Sequence, residues 1–318
     1  MAAKRKKRGI LPLIICLVVI IILIIPVFLF NAENLTLNDN TRATLPGSFV
    51  QLPDGVVHYE QKGPADAQIV VLVHGFSVPF YIWDHTYNAL AEAGFHVLRY
   101  DLYGRGYSDR PKVDCTINLF ITQLNDLLTA LNIRQPVNLV ALSVGGPVAA
   151  GFFYSYPGKV HTLCFIDPVV APVQSGKIFP LNIPVIGEYI MDIALAPFIL
   201  PRSQADDFYR PDRFPGWEDR YRDQMRYRGF KKALLSTIRS MAGINALPWY
   251  KAIGASKISV LFLRGEADKS IPATEMEQFR QAVPQAELHI IKEAGHLPQY
   301  EQPGTVNPLL IRFLKGAS

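Results

Sequence analysis

Short runs of apolar, mostly β-branched residues alternate along this chain with stretches compatible with helices. Such runs are typical of strands buried on both faces, and their alternation with helices is typical of a mostly parallel sheet. The sequence therefore predicts an α/β fold with an eight-stranded, mostly parallel sheet that helices cover on both faces. The predicted strands span residues 49–51, 56–61, 69–73, 96–100, 138–142, 160–166, 259–264 and 287–291.

The alternation is interrupted between about Ala171 and Lys257, where no strand is evident. The first half of this segment is strongly apolar, and the second half mixes arginine with tyrosine, phenylalanine and tryptophan. One interpretation is that the apolar residues pack on the core, while charged residues face water and their stems cover apolar surface. The other is that the segment forms an acyl-chain pocket or contacts a membrane.

A continuous apolar stretch from Ile10 to Phe30 follows five basic residues at positions 4–8. Its 21 residues would form a helix about 31 Å long, which is enough to cross the hydrocarbon core of a bilayer. A cleaved signal peptide is the alternative, but its apolar core usually has only about 7–15 residues and ends at small side chains. We therefore predict that residues 1–30 are a cytoplasmic basic flank and an uncleaved membrane anchor. Residues 31–47 would be a linker, and residues 48–318 an extracytoplasmic domain.

The formal net charge of +5 does not indicate a nucleic-acid partner. Five of the 32 basic residues lie within the first eight positions, which leaves 27 Lys and Arg against 27 Asp and Glu. The basic cluster instead marks the cytoplasmic end of the membrane helix and can contact anionic headgroups. The three cysteines predict no disulfide, and no Cys and His cluster has the spacing of metal ligands. We expect neither a metal nor a cofactor.

A candidate nucleophile follows the predicted strand at 138–142. Ser143 comes directly after this strand, and Gly145 and Gly146 begin a stretch compatible with a helix. A serine on a sharp turn between a strand and a helix forms a nucleophile elbow, in which small neighbours avoid collision with the strained turn. Ala141 stands where this motif usually has glycine, so the pattern departs from the motif by one methyl group.

Two further candidates follow strands near the C-terminus. Asp268 comes after the strand at 259–264, and His296 comes after the strand at 287–291. Side chains in these positions gather at the carboxyl edge of a parallel sheet, where open α/β proteins bind their ligands. His296 would accept the proton of Ser143 and later give it to the leaving group, while Asp268 would fix the imidazole tautomer. The chain order of serine, aspartate and histidine is that of an α/β-hydrolase.

The loop after the strand at 69–73 has the sequence His74-Gly75-Phe76-Ser77. This loop should present a backbone N–H to a developing oxyanion, so we assign Phe76 N–H and Val144 N–H as the two donors. Together with the segment 100–108, the serine elbow and the two downstream loops, these residues resemble the α/β-hydrolase superfamily over roughly residues 48–316. The resemblance implies an esterase-like or lipase-like serine hydrolase, with a helical lid at about 171–257 between strands six and seven.

Several neighbouring polar residues have other interpretations. His74 is expected to be structural, and in the resembling family the loop that carries Asp101 and Arg105 organises turns near the site. Asp167 follows the strand at 160–166 and is a rival for the triad acid, because some relatives place the acid there. We favour Asp268.

These observations predict a membrane-anchored serine hydrolase that cleaves carboxylic esters through an acyl-enzyme. The lid and the anchor favour lipophilic substrates such as monoacylglycerols or lysolipids. One alternative is a carbon–carbon bond hydrolase of the same fold, although relatives of that type tend to carry tryptophan where Leu297 stands. Another is a non-catalytic binding module that has kept the fold. Dehalogenases and epoxide hydrolases are disfavoured because they have aspartate at the position of Ser143.

Overall fold

The computed structural model describes residues 10–316, and its centre is one eight-stranded sheet. The strands are β1 (Ser48–Leu52), β2 (Gly55–Lys62), β3 (Ile69–Val73), β4 (His96–Tyr100), β5 (Val137–Leu142), β6 (Val160–Ile166), β7 (Ser259–Gly265) and β8 (Glu287–Ile291). Their order in the sheet is β1-β2-β4-β3-β5-β6-β7-β8. β1 and β2 are antiparallel, as are β2 and β4, and all other neighbours are parallel.

The eight predicted strands are confirmed, each to within one residue at either end. Their central members are apolar on consecutive positions because both faces of the sheet are covered. In β3, Val71 and Val73 point into one packing layer, whereas Val70 and Leu72 point into the other. This period of two divides every buried strand between two hydrophobic cores.

Helices outside the segment between β6 and β7 are α1 (Ile10–Leu29), α2 (Asp39–Arg42), α3 (Asp84–Glu92), α4 (Ile117–Ala130), α5 (Gly145–Ser155), α12 (Ala273–Ala282), α13 (Pro298–Glu301) and α14 (Pro303–Gly316). Buried residues of α4, α5 and α12 form the core on one face of the sheet. Those of α3 and α14 form the core on the other face. The arrangement is therefore the predicted three-layer α/β architecture.

The segment between β6 and β7 contains helices and no strand longer than an isolated bridge. Its helices are α6 (Ser175–Ile178), α7 (Ile186–Ile190), a π-helix (Met191–Ile199), α8 (Leu200–Ser203), α9 (Trp217–Met225), α10 (Phe230–Met241) and α11 (Leu247–Gly254). α11 packs against α5 and α12, and its Tyr250 and Ile253 lie in the core beneath the sheet. The part that lies over the carboxyl edge therefore ends before α11. We call residues 171–246 the insertion.

The apolar N-terminal segment forms the long helix α1, and Pro12–Leu29 has a mean hydropathy of 3.4 with none of the span buried. This length and composition are sufficient to cross a membrane. The predicted basic flank at residues 4–8 lies outside the described residues. The predicted linker does not stand away from the domain, because Leu35 forms a β-bridge with Tyr227 of the insertion.

Candidate active site

Ser143 occupies the sharp turn between β5 and α5. Its φ of 54° lies in the left-handed region, which costs a residue with a side chain about 1–3 kcal/mol. The surrounding backbone holds this conformation, since the Ser143 N–H donates to the carbonyl oxygen of Ile166 at 3.0 Å. Its own carbonyl oxygen accepts from the N–H of Gly146 at 2.9 Å and from that of Val169 at 3.1 Å. The turn has the geometry that the sequence predicts for an elbow.

The small residues after Ser143 are required by close backbone contacts. A Cβ on Gly145 would lie only 2.5 Å from the carbonyl oxygen of Val73, and a Cβ on Gly146 only 2.6 Å from Cβ of Pro168. Ala141, the departure from the motif, lies within β5 and is completely buried in the core. Its methyl group therefore packs in the sheet, and the positive φ at Ser143 is kept.

His296 and Asp268 contact each other directly behind the elbow. His296 Nδ1 lies 3.1 Å from Asp268 Oδ2, and the carboxyl side chain is fully buried. The other carboxylate oxygen accepts the N–H groups of Ser270 at 2.7 Å and Ile271 at 3.3 Å. These bonds fix the carboxylate on its loop, so the imidazole is held through Nδ1 and presents Nε2 as the remaining ring nitrogen.

The second candidate acid, Asp167, lies beside the first. Its Oδ2 accepts the N–H of Gly265 at 3.0 Å, and its carboxyl group lies close enough to that of Asp268 for each to shift the pKa of the other. Arg264 Nη1 lies 3.1 Å from Asp167 Oδ1 and 3.0 Å from Asp268 Oδ2. The structure therefore brings both sequence candidates together, and only Asp268 is hydrogen-bonded to His296.

The three ionisable groups have displaced pKa values with separate causes. Burial raises the pKa of Asp167 well above its ordinary value, and the nearby charge of Asp268 adds to this. Burial also acts to raise the pKa of Asp268, but the hydrogen bond and charge of His296 outweigh it and lower the pKa to about 2. For His296, burial acts to lower the pKa, but the hydrogen bond and charge of Asp268, together with the charge of Asp207, outweigh it and raise the pKa to about 9. Asp268 is thus the ionised member of the carboxyl pair.

The ligand atoms of Asp167, Asp268 and His296 lie within 4.8 Å of one another, a spacing that metal sites share. Here the guanidinium of Arg264 already contacts both carboxyl groups from within the same cluster. Arg264 and His296 supply positive charge beside the buried carboxyl groups, so the cluster is accounted for as a network of ion pairs.

The two residues predicted to supply oxyanion donors, Phe76 and Val144, line the same cavity as Ser143. Within residues 10–316, neither of their backbone N–H groups donates a hydrogen bond to another residue. A Cβ on Gly75 would approach Cβ of Ser143 to 3.1 Å, so glycine allows this loop to pass close to the elbow. The Phe76 carbonyl oxygen accepts from Arg105 Nε at 2.7 Å, which turns that carbonyl toward the guanidinium.

The residues predicted to be structural have structural contacts. Burial lowers the pKa of His74 to about 4, and its Nε2 accepts the N–H of Leu102 at 2.9 Å. Asp101 accepts from His58 Nδ1 at 2.7 Å and from the backbone N–H groups of Phe80 and Tyr107. These bonds tie together the loops after β3 and β4.

A cavity of about 750 Å³ opens at the carboxyl edge of the sheet. Ser143, His296, Phe76 and Val144 all line it, while Asp268 lies behind His296. Apolar lining residues include Val78, Ile82, Leu142, Val169, Ile178, Leu200, Ile238, Met241, Ile271 and Leu297. Polar lining residues include Gln174, Lys177, Ser203, Gln204, Asp206, Asp207, Ser270 and Gln278. The cavity therefore joins an apolar volume to a smaller polar region beside the candidate nucleophile.

Two residues that contact the His296–Asp268 pair were not predicted from the sequence. Arg264 is the last but one residue of β7, where an apolar side chain is expected, and its charge is the only signal in the sequence. Asp207 comes from the insertion, yet its carbonyl oxygen accepts the His296 N–H at 2.7 Å. No local pattern links a residue of the insertion to a loop almost 90 positions later.

Comparison with known proteins agrees with this architecture. A family model described as alpha/beta hydrolase fold matches residues 68–303. The chain belongs to this family. A cis-3-alkyl-4-alkyloxetan-2-one decarboxylase of Xanthomonas campestris is 25% identical over 297 residues, which cover 83% of this chain and 93% of that protein.

Two solved structures have the same fold. A thermophilic esterase of Thermogutta terrifontis has a TM-score of 0.74 and 23% identity, with 85% of this chain and 99% of that chain covered. A bacterial membrane phospholipase A has a TM-score of 0.65 and 19% identity, with 96% of this chain and 97% of that chain covered. At these identities the likeness shows the fold alone, and the reaction depends on the site.

Proposed function

We propose that this α/β-hydrolase is a membrane-anchored serine hydrolase that cleaves carboxylic esters, with Ser143 as nucleophile, His296 as general base and Asp268 as the triad acid. One observation carries the proposal. Ser143 on its strained turn and His296 on its buried carboxylate line the same cavity. A serine, a base and an orienting acid in this arrangement are the parts that acyl transfer requires.

In the proposed reaction, Ser143 Oγ attacks the ester carbonyl carbon while His296 Nε2 takes the hydroxyl proton. The N–H groups of Phe76 and Val144 donate to the oxyanion of the tetrahedral intermediate. Its collapse breaks the bond to the alcohol oxygen, which receives the proton from His296 and leaves. Water then attacks the acyl-enzyme with His296 again as base, and the acid product and Ser143 are released.

The substrate class follows from the cavity and from the N-terminal helix. The apolar lining residues come from the sheet edge and from the insertion, and they provide room for an acyl chain. The polar residues near the site suit an alcohol that carries hydroxyl groups. A monoacylglycerol or a lysolipid has both parts and lies in the membrane that α1 can enter.

A carbon–carbon bond hydrolase would use the same serine and histidine. Relatives of that type tend to carry tryptophan at the position of Leu297, which is buried in this structure. A binding module would keep the fold without the reaction. A fluorophosphonate probe distinguishes a serine hydrolase of either kind from a binding module, since it reacts with an activated serine. We expect the full chain in detergent to be labelled, and the Ser143→Ala variant to lose the label. Ser155→Ala, an exposed serine at the end of α5, is the matched control.

Substrate preference is tested with p-nitrophenyl esters of increasing chain length. We expect octanoate to be hydrolysed with a higher kcat/KM than acetate because the apolar cavity binds the longer chain. A preference for acetate would contradict the lipophilic substrate, and absence of labelling at Ser143 would contradict the serine mechanism.

A further inference from the structure

Exposed large apolar side chains of the domain are concentrated on one part of the insertion. Beyond Phe30, nine large apolar side chains of the described residues are exposed, and five of them lie between positions 179 and 199. We call these five the cap face: Phe179, Val185, Ile186, Phe198 and Ile199. Val185 is 78% exposed and Phe179 is 65% exposed, whereas most large apolar side chains of the domain are buried. Such a concentration marks a surface that contacts an apolar partner.

The cap face adjoins the end of the helix α1. The ring of Phe30, directly after α1, meets the ring of Phe198 edge-on with centroids 5.0 Å apart. Glu33 then accepts the backbone N–H groups of Gly229 at 2.9 Å and Lys231 at 2.8 Å. These contacts attach the chain to the insertion within four residues of the end of α1.

The same attachment continues through main-chain bonds. The Leu35 N–H donates to the Arg226 carbonyl oxygen at 2.8 Å, and the Leu35 carbonyl oxygen accepts from the Arg228 N–H at 2.9 Å. The segment that joins α1 to the insertion is therefore short and is bonded to the insertion along its length. If α1 spans a bilayer, the insertion is held against the leaflet in which α1 ends, and the π-helix that carries Phe198 and Ile199 of the cap face contacts α1 itself.

The cap face also borders the cavity. Ile178 and Leu200 line the cavity, while their chain neighbours Phe179 and Ile199 point outward and are exposed. The wall of the cavity is thus only one residue away from the outer apolar surface at two places.

From the geometry we infer that the cap face is seated in the leaflet in which α1 ends, and that a long-chain ester enters the Ser143 cavity from that leaflet. This inference rests on the proposed function for its substrate, whereas the position of the cap face does not depend on catalysis. Apolar side chains inserted to the depth of the headgroups stabilise such an orientation in proportion to their buried area.

The position of the cap face is tested by adding one tryptophan at a time to the three of the full chain. Each variant is reconstituted in nanodiscs of phosphatidylcholine with brominated acyl chains. We expect quenching of Phe179→Trp and Ile199→Trp fluorescence beyond that of the parent. Ile290→Trp is the matched control, because Ile290 is 46% exposed on β8 at the far edge of the sheet. Quenching of the cap-face variants by aqueous acrylamide instead would place the face in water and overturn the inference. Protection from both quenchers would mean that protein, such as a second copy, covers it, which would also overturn it.

Delivery is tested with two substrates in the same preparations. We expect the double variant Phe179→Ser/Ile199→Ser to lose about tenfold in rate on a monoacylglycerol presented in vesicles, because two exposed apolar anchors are removed from the membrane. Its rate on water-soluble p-nitrophenyl butyrate should equal those of the parent and of the control Val113→Ser. Equal rates on both substrates would contradict delivery from the leaflet. If the parent hydrolyses neither ester, the proposed function fails, and the quenching experiment still decides the position of the cap face.

Discussion

At the scale of single residues, the site is dominated by three carboxyl groups around one imidazole. Asp268 is hydrogen-bonded to His296, Asp167 lies beside Asp268 on Arg264, and Asp207 reaches the same region from the insertion. The hydrogen bond and charge of Asp268 and the charge of Asp207 raise the pKa of His296 to about 9 despite its burial. Because the imidazole must be neutral to accept the proton of Ser143, the activity should rise with pH until His296 has lost its proton.

Asp207→Asn is expected to move the acidic limb of the kcat/KM profile to lower pH. The reason is that the Asp207 carboxylate raises the pKa of His296, while asparagine keeps an oxygen for the bond from Ser270 and leaves the backbone bond to His296 intact. Profiles measured from pH 5 to 10 with p-nitrophenyl butyrate check this. Asp219→Asn, an exposed carboxylate of α9, is the control and should leave the limb in place. An unmoved limb in Asp207→Asn would show that this charge does not act on the base.

Asp268→Asn is expected to lower kcat by roughly 10³–10⁴-fold, because the amide no longer fixes the productive tautomer of His296. Asp167→Asn should have a small effect, since burial keeps Asp167 uncharged and asparagine is an uncharged side chain of the same size. Single-turnover acylation rates of both variants check the assignment. A larger loss in Asp167→Asn would make Asp167 the triad acid.

At the scale of elements, the site depends on where strands end and which loops meet there. Runs of apolar residues were sufficient to predict each strand, and the loops after β5, β7 and β8 therefore carried Ser143, Asp268 and His296 to one edge. Both acids could be predicted as candidates from the sequence. Their adjacency could not, because it follows from the pairing of β6 with β7. The fold of the insertion could not be predicted in detail, since Asp207 reaches His296 through a backbone bond that any residue type can make.

Glu301 of α13 joins the insertion to the loop of His296. Its carboxylate accepts the N–H of Tyr209 at 2.7 Å, that of Arg210 at 3.2 Å and that of Gly295 at 2.5 Å. Glu301→Ala leaves these three donors without their acceptor and should lower kcat on a soluble ester about tenfold or more, with a smaller change in KM. Steady-state kinetics check this. Glu277→Ala, on the exposed side of α12, is the control, and a matching decrease in both variants would contradict a role for the junction.

At the scale of the whole molecule, the helix α1, the segment after it and the insertion form a continuous structure. Phe30 packs on Phe198, and Glu33 and Leu35 bond to the chain between α9 and α10. The composition of residues 31–47 predicted a polar linker because polar residues avoid a hydrophobic core. Composition does not reveal that those polar groups are bonded to the insertion. If α1 spans a bilayer, the orientation of the domain relative to it is therefore set by these contacts, which can be removed one at a time.

Glu33→Ala is expected to loosen this attachment, because two backbone N–H groups at the start of α10 lose their acceptor. Proteinase K should then release the domain from reconstituted vesicles several-fold faster than it releases the parent domain, as cleavage follows local opening. Glu92→Ala, an exposed carboxylate at the end of α3, is the matched control. The rate on a soluble ester should stay at the parent level, while the rate on a vesicle-borne monoacylglycerol should fall, since the cap face would no longer be held at the leaflet. Unchanged release together with unchanged vesicle activity would show that Phe30 and Leu35 alone are enough to orient the domain.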